Sequence, residues 1–483
     1  MSEPRRITGT HVYSYVKCPH LAALDLHLPR AARRAPHPWE EFAAQRGRDH
    51  ETNLVATMAV QTPAYPDRDF AAGAAATLAL LRGGAPLVHQ AVLLADDRLG
   101  LPDLLRRVPG ASELGDFHYE VLDVKSSGRM RGDQILQVVF YAQLLAAVQG
   151  RLPEHGGILL KDGREERFRI ADYGAACDEV VAALRRLRGD LSASRPTLQA
   201  GCGHCYHDQR CLPELAARRD LSLVAGMTPG ARAILEGVGC RTIEDLAAFH
   251  PDGPRARGHL DTALVRRLRR AAEAACAGAP LPEARPRSPS ERLDQGALVH
   301  LLTDPYAGRV LAIGVLHPAT ADGRFACELP ASRDEEWPAF ERLVGDLPAR
   351  APLLHFGPAL PHWCEERTYA HEADPAVEAR FVDLHKRLRG AATYPRPVFD
   401  LADLVRVGLG RDPLRAGHAG AAGMWAGERD GAARLAAKLR ADLDDLAELK
   451  ARLLDTHAAP PPPTAAAAAA AAGAPEPPVA ADE

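Results

Sequence analysis

Four cysteines constrain this chain most: Cys18 near the N-terminus, and Cys202, Cys205 and Cys211 in the run CGHCYHDQRC. The spacing C-x2-C-x5-C supplies three thiolates, whereas a tetrahedral or cubane metal site asks for four ligands. If Cys18 is the fourth, residue 18 must return to residues 202–211, and the chain between them must form one closed unit. A link across so long a loop stabilises a fold chiefly by restricting the unfolded chain, which points to a structural rather than a redox role. His204 or His207 offers a local alternative, completing a small zinc knuckle. Cys177, Cys240, Cys276, Cys327 and Cys364 show no ligand spacing and read as buried thiols.

At 483 residues the chain is too long for one ordinary core, and two or three domains are expected. Hydrophobic residues make up 46% and charged residues 25%, the balance of a soluble globular protein. No apolar run approaches the roughly 18 residues that span a bilayer, and the start MSEPRRITGT lacks a signal peptide's apolar stretch. The expected compartment is the cytoplasm, where irregularly spaced cysteines read as ligands or thiols rather than disulfides. The net charge of -4 gives no global field to draw in nucleic acid, so any such binding must rest on a local groove. Of the 59 basic residues only six are lysines: Lys17, Lys125, Lys161, Lys386, Lys438 and Lys450. In so Arg-rich a chain, a retained lysine marks a place where Arg does not serve.

Residues 1–218 read as an α/β unit. Strands are expected at Val88–Ala95 and Leu101–Val108 around a turn at Asp96–Gly100, and a third at Tyr119–Ser126. Asp133–Val148 has the helical period, with Ile135, Val138, Val139, Ala142 and Leu145 on its apolar face. A hairpin follows at Gly157–Lys161 and Glu165–Ile170, then a helix near Ala175–Leu187. This order predicts a mixed sheet crossed by a helix. Residues 219–280 are helical, and Leu223–Gly239 followed by Thr242–Ala247 resembles a helix–hairpin–helix module, in which backbone N–H groups grip a phosphate. Thr228 stands where the second hairpin glycine usually does, so a plain packing pair of helices fits equally. Residues 281–295 read as a linker. Residues 296–456 form a second α/β region, with strands near Ala297–Leu302, Val310–Leu316 and Pro352–Phe356 and helices near Glu335–Leu347 and Ala433–Leu454. The Pro/Ala-rich tail 457–483 reads as disordered. The fold class is α/β multidomain.

Between the cysteines lie residues suited to phosphodiester chemistry. Hydrolysis of that bond uses a divalent cation to bind the phosphate oxygen and acidify a water, and such cations take carboxylate oxygens. Asp103, after Pro102, and Asp123 converge if their strands are neighbours. Asp123 and Lys125 are two apart and share one face of a strand, which places an ammonium beside the reacting phosphate. Gln137 and Tyr141, four apart on the next helix, share a face and reach the same groove. Upstream, Arg46-Gly47-x-x-His50-Glu51 offers an imidazole. Each feature alone is commonplace; their order is not.

The order G-x-x-H, P-D, D-x-K, Q-x-x-x-Y resembles the RecB-like branch of the PD-(D/E)XK nuclease superfamily over roughly residues 8–215. The resemblance implies a restriction-endonuclease-like fold and cleavage dependent on Mg²⁺ or Mn²⁺. It implies a metal site from His50, Asp103, Asp123 and the backbone carbonyl of Val124, with Lys125, Gln137 and Tyr141 as further catalytic positions. One cysteine before such a core and three after it is similar to the iron–sulfur nucleases of this branch, implying a [4Fe–4S] cluster on Cys18, Cys202, Cys205 and Cys211. The implied substrate is DNA, with single-stranded ends attacked exonucleolytically. The implied setting is repair, recombination or defence, alongside a helicase or another protein of those pathways. No residue reports on the 2′-OH, so RNA stays open. The alternative is a non-catalytic nucleic-acid-binding or adaptor protein that positions a partner enzyme.

The C-terminal region resembles the RNase H-like exonuclease domain that accompanies RecB-like modules in one bacterial family. An active member carries D-x-E on its first strand. Here the stretch Val299-His300-Leu301-Leu302-Thr303-Asp304-Pro305 has His300 and Leu302 at those places. Pro358-Ala359-Leu360 stands where a further carboxylate is expected. Asp400 and Asp445 match acidic positions but cannot build a two-metal site alone. The expectation is a retained fold without catalysis.

Overall fold

The computed structural model describes residues 5–36, 38–250, 260–283, 293–304, 308–320, 322–369, 375–412 and 430–454. The chain divides into two compact units, Met1–Thr197 with Cys205–Gln209, and Leu198–His204 with Arg210–Glu483. Both are mixed α/β. No described helix is long and apolar enough to cross a membrane.

The first unit begins with β1 (Ile7–Thr8) and helices α1 (Gly9–Lys17), α2 (Pro19–His27), α3 (Pro38–Ala56) and α4 (Phe70–Arg82). Its strands are β2 (Leu87–His89), β3 (Leu93–Ala95), β4 (Arg98–Gly100), β5 (Leu104–Ser112), β6 (Gly115–Val124), β7 (His155–Leu159) and β8 (Glu165–Arg169). The main sheet has the order β2-β5-β6-β7-β8, and only β6 and β7 pair in parallel. A parallel pair needs a long crossover, which helix α5 (Gly132–Gln149) supplies; α6 (Gly174–Gly189) follows β8. The five apolar residues expected to face inward from α5 are all buried.

Strand parity decides which face of the sheet each residue serves. Leu105, Tyr119 and Val121 join the large core with Val138, Tyr141 and Leu145 of α5. Leu104, Leu122 and Val124 join a smaller cluster with Val55 of α3. Asp103 and Asp123 share the parity of the first set and so face α5. The expected strand Val88–Ala95 is instead two strands in different sheets. Gln90 between them takes a positive φ of 53°, which turns the chain out of the main sheet. The expected turn narrows to Asp96-Asp97, since Arg98–Gly100 pairs with both β1 and β3.

In the second unit, α7 (Asp208–Ala217) leads into α8 (Pro229–Gly237), α9 (Ile243–Ala247) and α10 (Thr262–Ala277), which enclose a core of Leu235, Ile243, Leu246, Val265 and Leu268. Thr228 caps α8, its hydroxyl accepting from the Ala231 N–H at 3.2 Å. That explains a threonine in the hairpin: its oxygen serves the helix's own first turn. The expected linker contains β9 (Leu281–Pro282) and a short helical turn at Leu293–Gln295; residues 284–292 lie outside the described residues.

The larger sheet contains β10 (Ala297–Asp304), β11 (Arg309–His317), β12 (Arg324–Glu328), β13 (Leu353–His355) and β14 (Phe381–Asp383), in the order β12-β11-β10-β13-β14. The first three are antiparallel neighbours; β13 and β14 run parallel to β10. Helices α11 (Glu336–Gly345), α12 (Ala359–Tyr369), α13 (Leu384–Ala391), α14 (Leu401–Leu409) and α15 (Gly431–Leu454) complete it, and β15 (Ala392–Thr393) pairs with β9. Sequence reading overlooked β12, β14 and the helices α12 to α14. Pro305 and the tail 457–483 lie outside the described residues.

Candidate metal centre

Asp103 immediately precedes β5 and Asp123 lies near the end of β6. Leu104 pairs with Leu122, so the next step along the antiparallel ladder sets the two aspartates opposite each other. Their carboxyl groups come within hydrogen-bonding reach. The Val124 N–H donates to Asp103 Oδ2 at 2.8 Å, fixing the backbone whose carbonyl was the fourth expected ligand. Lys125 Nζ stands 2.5 Å from Asp123 Oδ2. Burial, the Asp123 charge and the hydrogen bond with Asp123 push the Asp103 carboxyl well above the ordinary carboxylate range. Burial draws the Lys125 ammonium down, but the Asp123 and Asp103 charges outweigh it, and its pKa is raised. One ammonium thus faces two carboxylates.

Tyr141 closes the site from α5. Its hydroxyl accepts from Gln137 Nε2 at 2.9 Å. Burial, with the Asp123 charge next, raises its pKa and keeps the phenol protonated. His50 lies on α3, and its Nε2 is buried with no hydrogen-bond partner among the described residues. Next to it, Glu51 Oε1 accepts from Gln90 Nε2 at 2.7 Å and lies 3.3 Å from His89 Nε2, bracing α3 against the end of β2.

The donor set suits a divalent cation. Two hard carboxylates are pressed together with a cation deficit, and one imidazole nitrogen is orphaned in the same unit. Among the described residues, no group of three or more His, Cys, Asp or Glu is drawn within ligating distance, so His50 stands apart from the aspartate pair.

The thiols divide between the units: Cys18 and Cys205 belong to the first, Cys202 and Cys211 to the second. Backbone N–H groups donate to two sulfurs, Gln199 to Cys202 Sγ at 3.3 Å and His207 to Cys205 Sγ at 3.5 Å. Such bonds suit the sulfurs of a thiolate-ligated metal group. In the first unit a polar cluster grips the segment bearing Cys205. Buried Asp25 accepts from Tyr206 Oη at 2.6 Å, from Arg33 at 2.8 Å and from His207 Nε2 at 3.2 Å. Arg34 pairs with Glu40, and its N–H donates to the Tyr206 carbonyl. Asp25 lies on α2, the helix that Cys18 directly precedes. This commits His207 Nε2 to a carboxylate, leaving only its other ring nitrogen for a metal. Of the five cysteines expected to be buried, Cys276 is exposed and Cys327 half-buried.

In the second unit, His300 on β10 reaches across to α15, its Nε2 lying 3.5 Å from Asp442 Oδ2. Lys438 Nζ pairs with the same carboxylate. Asp445 pairs with Arg411 at 2.7 Å, while Asp400 caps α14 through the Asp403 N–H. Both carboxylates nominated from the sequence are therefore occupied, one by a cation and one by a helix end. Sequence reading named Lys438 only among the rare lysines and missed its partner Asp442, and in the first unit it missed Tyr13, Gly9 and Gly100. Added Cβ atoms at Gly9 and Gly100 would lie 2.5 Å from Tyr141 Oη and 3.0 Å from its ring. The rarity of lysine was the available signal for Lys438; a glycine whose partner is far away in sequence leaves none. Comparison of the sequence with protein-family models and with curated proteins gives no match.

Proposed function

We propose that the chain is a Mg²⁺- or Mn²⁺-dependent nuclease of the RecB-like PD-(D/E)XK type, acting on DNA and preferring single-stranded ends. The observation carrying this reading is the aspartate pair on adjacent strands with Lys125 beside it. A divalent cation held by Asp103, Asp123 and the Val124 carbonyl would supply Lewis acidity and an acidified water, with His50 reaching it only if α3 moves toward the aspartate pair. Lys125 donates to the phosphate oxygen on which charge develops, and its salt bridge with Asp123 keeps it charged and aimed. Tyr141, locked by Gln137 and by its close fit against Gly9, donates its O–H into the same groove. Burial of the carboxylates keeps bulk water from screening these interactions.

The sheet order of the first unit supports a restriction-endonuclease-like core, and the order β12-β11-β10-β13-β14 supports an RNase H-like domain. In the latter, Lys438 and Arg411 pair with the inward carboxylates of Asp442 and Asp445, which fits a domain retained without catalysis. The [4Fe–4S] cluster on Cys18, Cys202, Cys205 and Cys211 rests on the resemblance alone; the N–H···S bonds at Cys202 and Cys205 are each local to their own segment. Anaerobic purification should give a brown protein whose visible absorbance is lost in Cys18→Ala; an unchanged spectrum removes the cluster assignment. Mn²⁺-dependent digestion of end-labelled single strands should vanish in Asp123→Ala, and digestion at the wild-type rate would remove the site.

A further inference from the structure

Helix α1 carries Gly9, Tyr13 and Lys17 at four-residue spacing, so they form one stripe. At one end the stripe meets Tyr141 so closely that only glycine fits at position 9. Midway along it, Tyr13 comes within hydrogen-bonding reach of the Arg131 side chain, just before α5, and interacts electrostatically with Lys125. The two helices therefore run antiparallel past each other, and the stripe leads from the buried phenol of Tyr141 outward to solvent.

Lys17 Nζ donates to Tyr13 Oη at 2.5 Å and stands 4.0 Å from the centre of its ring. Lys17 is exposed and pairs with no carboxylate among the described residues. Arg131 forks onto Asp133 at 2.5 Å, yet its side chain is 47% exposed. An ammonium and a guanidinium thus flank one phenol, with Asp133 as the only carboxylate paired to them among the described residues. Holding two cations together at a surface is unfavourable without an anion to share. A phosphate is such an anion: it accepts from lysine, from the planar fork of arginine and from a phenol O–H at once.

We propose that Tyr13, Lys17 and Arg131 form a receptor for a backbone phosphate adjoining the one at Asp103 and Asp123. The proposal rests on the nuclease reading and adds how the strand is held. Lys17 and Arg131 supply charge-assisted bonds, while Tyr13 spaces them and joins the receptor to Lys125. A strand gripped there has its next phosphate aligned with the aspartate pair, so the receptor acts on substrate capture.

The test is anisotropy of a labelled short oligodeoxythymidine with Ca²⁺ in place of Mn²⁺, across a salt series. Loss of one phosphate contact lowers the slope of log K against log salt by about 0.7 for a single strand. Lys17→Met and Arg131→Met should each show that drop, and Lys17→Arg should restore it. In Mn²⁺ digestion the Lys17→Met loss should fall on KM. An unchanged slope in both Met variants, with the wild type binding and digesting normally, overturns the receptor and leaves the nuclease reading standing. A wild type that neither binds nor digests the strand overturns both.

Discussion

Replacing Asp103 with Asn should stabilise the metal-free protein while ending its response to divalent cations. The aspartates face each other with one ammonium between them, and burial with the Asp123 charge holds the Asp103 carboxyl well above its usual range. Burial next to the Asp123 charge makes an ionised Asp103 unfavourable in the folded protein, a penalty the unfolded chain does not carry. Asn removes that cost and keeps the local bonds: its amide oxygen still accepts from the Val124 N–H, and its amide N–H can donate to Asp123. A gain on the order of 1 kcal/mol follows, the scale of one net hydrogen bond, worth roughly 2–4 °C in Tm for a unit of this size. The wild type should instead be raised by the cation, by about 2.7 kcal/mol at a hundredfold excess over Kd. Thermal melts of both proteins in chelator and in excess Mn²⁺ read these quantities. A variant less stable than wild type in chelator, or one that keeps the full Mn²⁺ shift, refutes the reasoning.

Gly9→Ala places a Cβ 2.5 Å from Tyr141 Oη and should cost about 1–3 kcal/mol in urea unfolding, with part recovered by adding Tyr141→Leu. Burial lowers the pKa of His11 to about 4, and its Nδ1 accepts from the Thr8 N–H at the start of α1. The unfolded chain therefore binds a proton at higher pH than the folded one. Stability should fall as pH drops from about 6.5 to about 4, by up to about 3 kcal/mol, and His11→Gln should flatten that dependence. Lys438→Met leaves the buried Asp442 carboxylate with His300 as its remaining partner and should cost about 1–3 kcal/mol, and adding Asp442→Leu should return most of it.

The aspartate pair was legible because its geometry is local to strands. A two-residue period puts Asp123 and Lys125 on one face, and a short antiparallel hairpin brings Asp103 opposite. Gln137 and Tyr141 were legible for the same reason on a helix. Features set by distant contacts were not. Nothing near Gly9 announces the Tyr141 ring that requires it, and Asp25 collects Tyr206 and His207 from the far end of the first unit. The break at Gln90 was hidden because strand-forming apolar residues flank it on both sides, Leu87-Val88 before it and Ala91–Ala95 after it, while the backbone turns. Asp442 escaped because His300, which reaches it from β10, is far away in sequence; Lys438, four residues before it on α15, is local.

Mn²⁺-dependent digestion of an end-labelled single strand by wild type and Lys125→Ala tests the central claim most directly. The account predicts cleavage by the wild type, abolished by chelation, and a loss of about 100-fold or more in the variant, as for removal of one donor to a developing charge. Equal digestion by both proteins would contradict it.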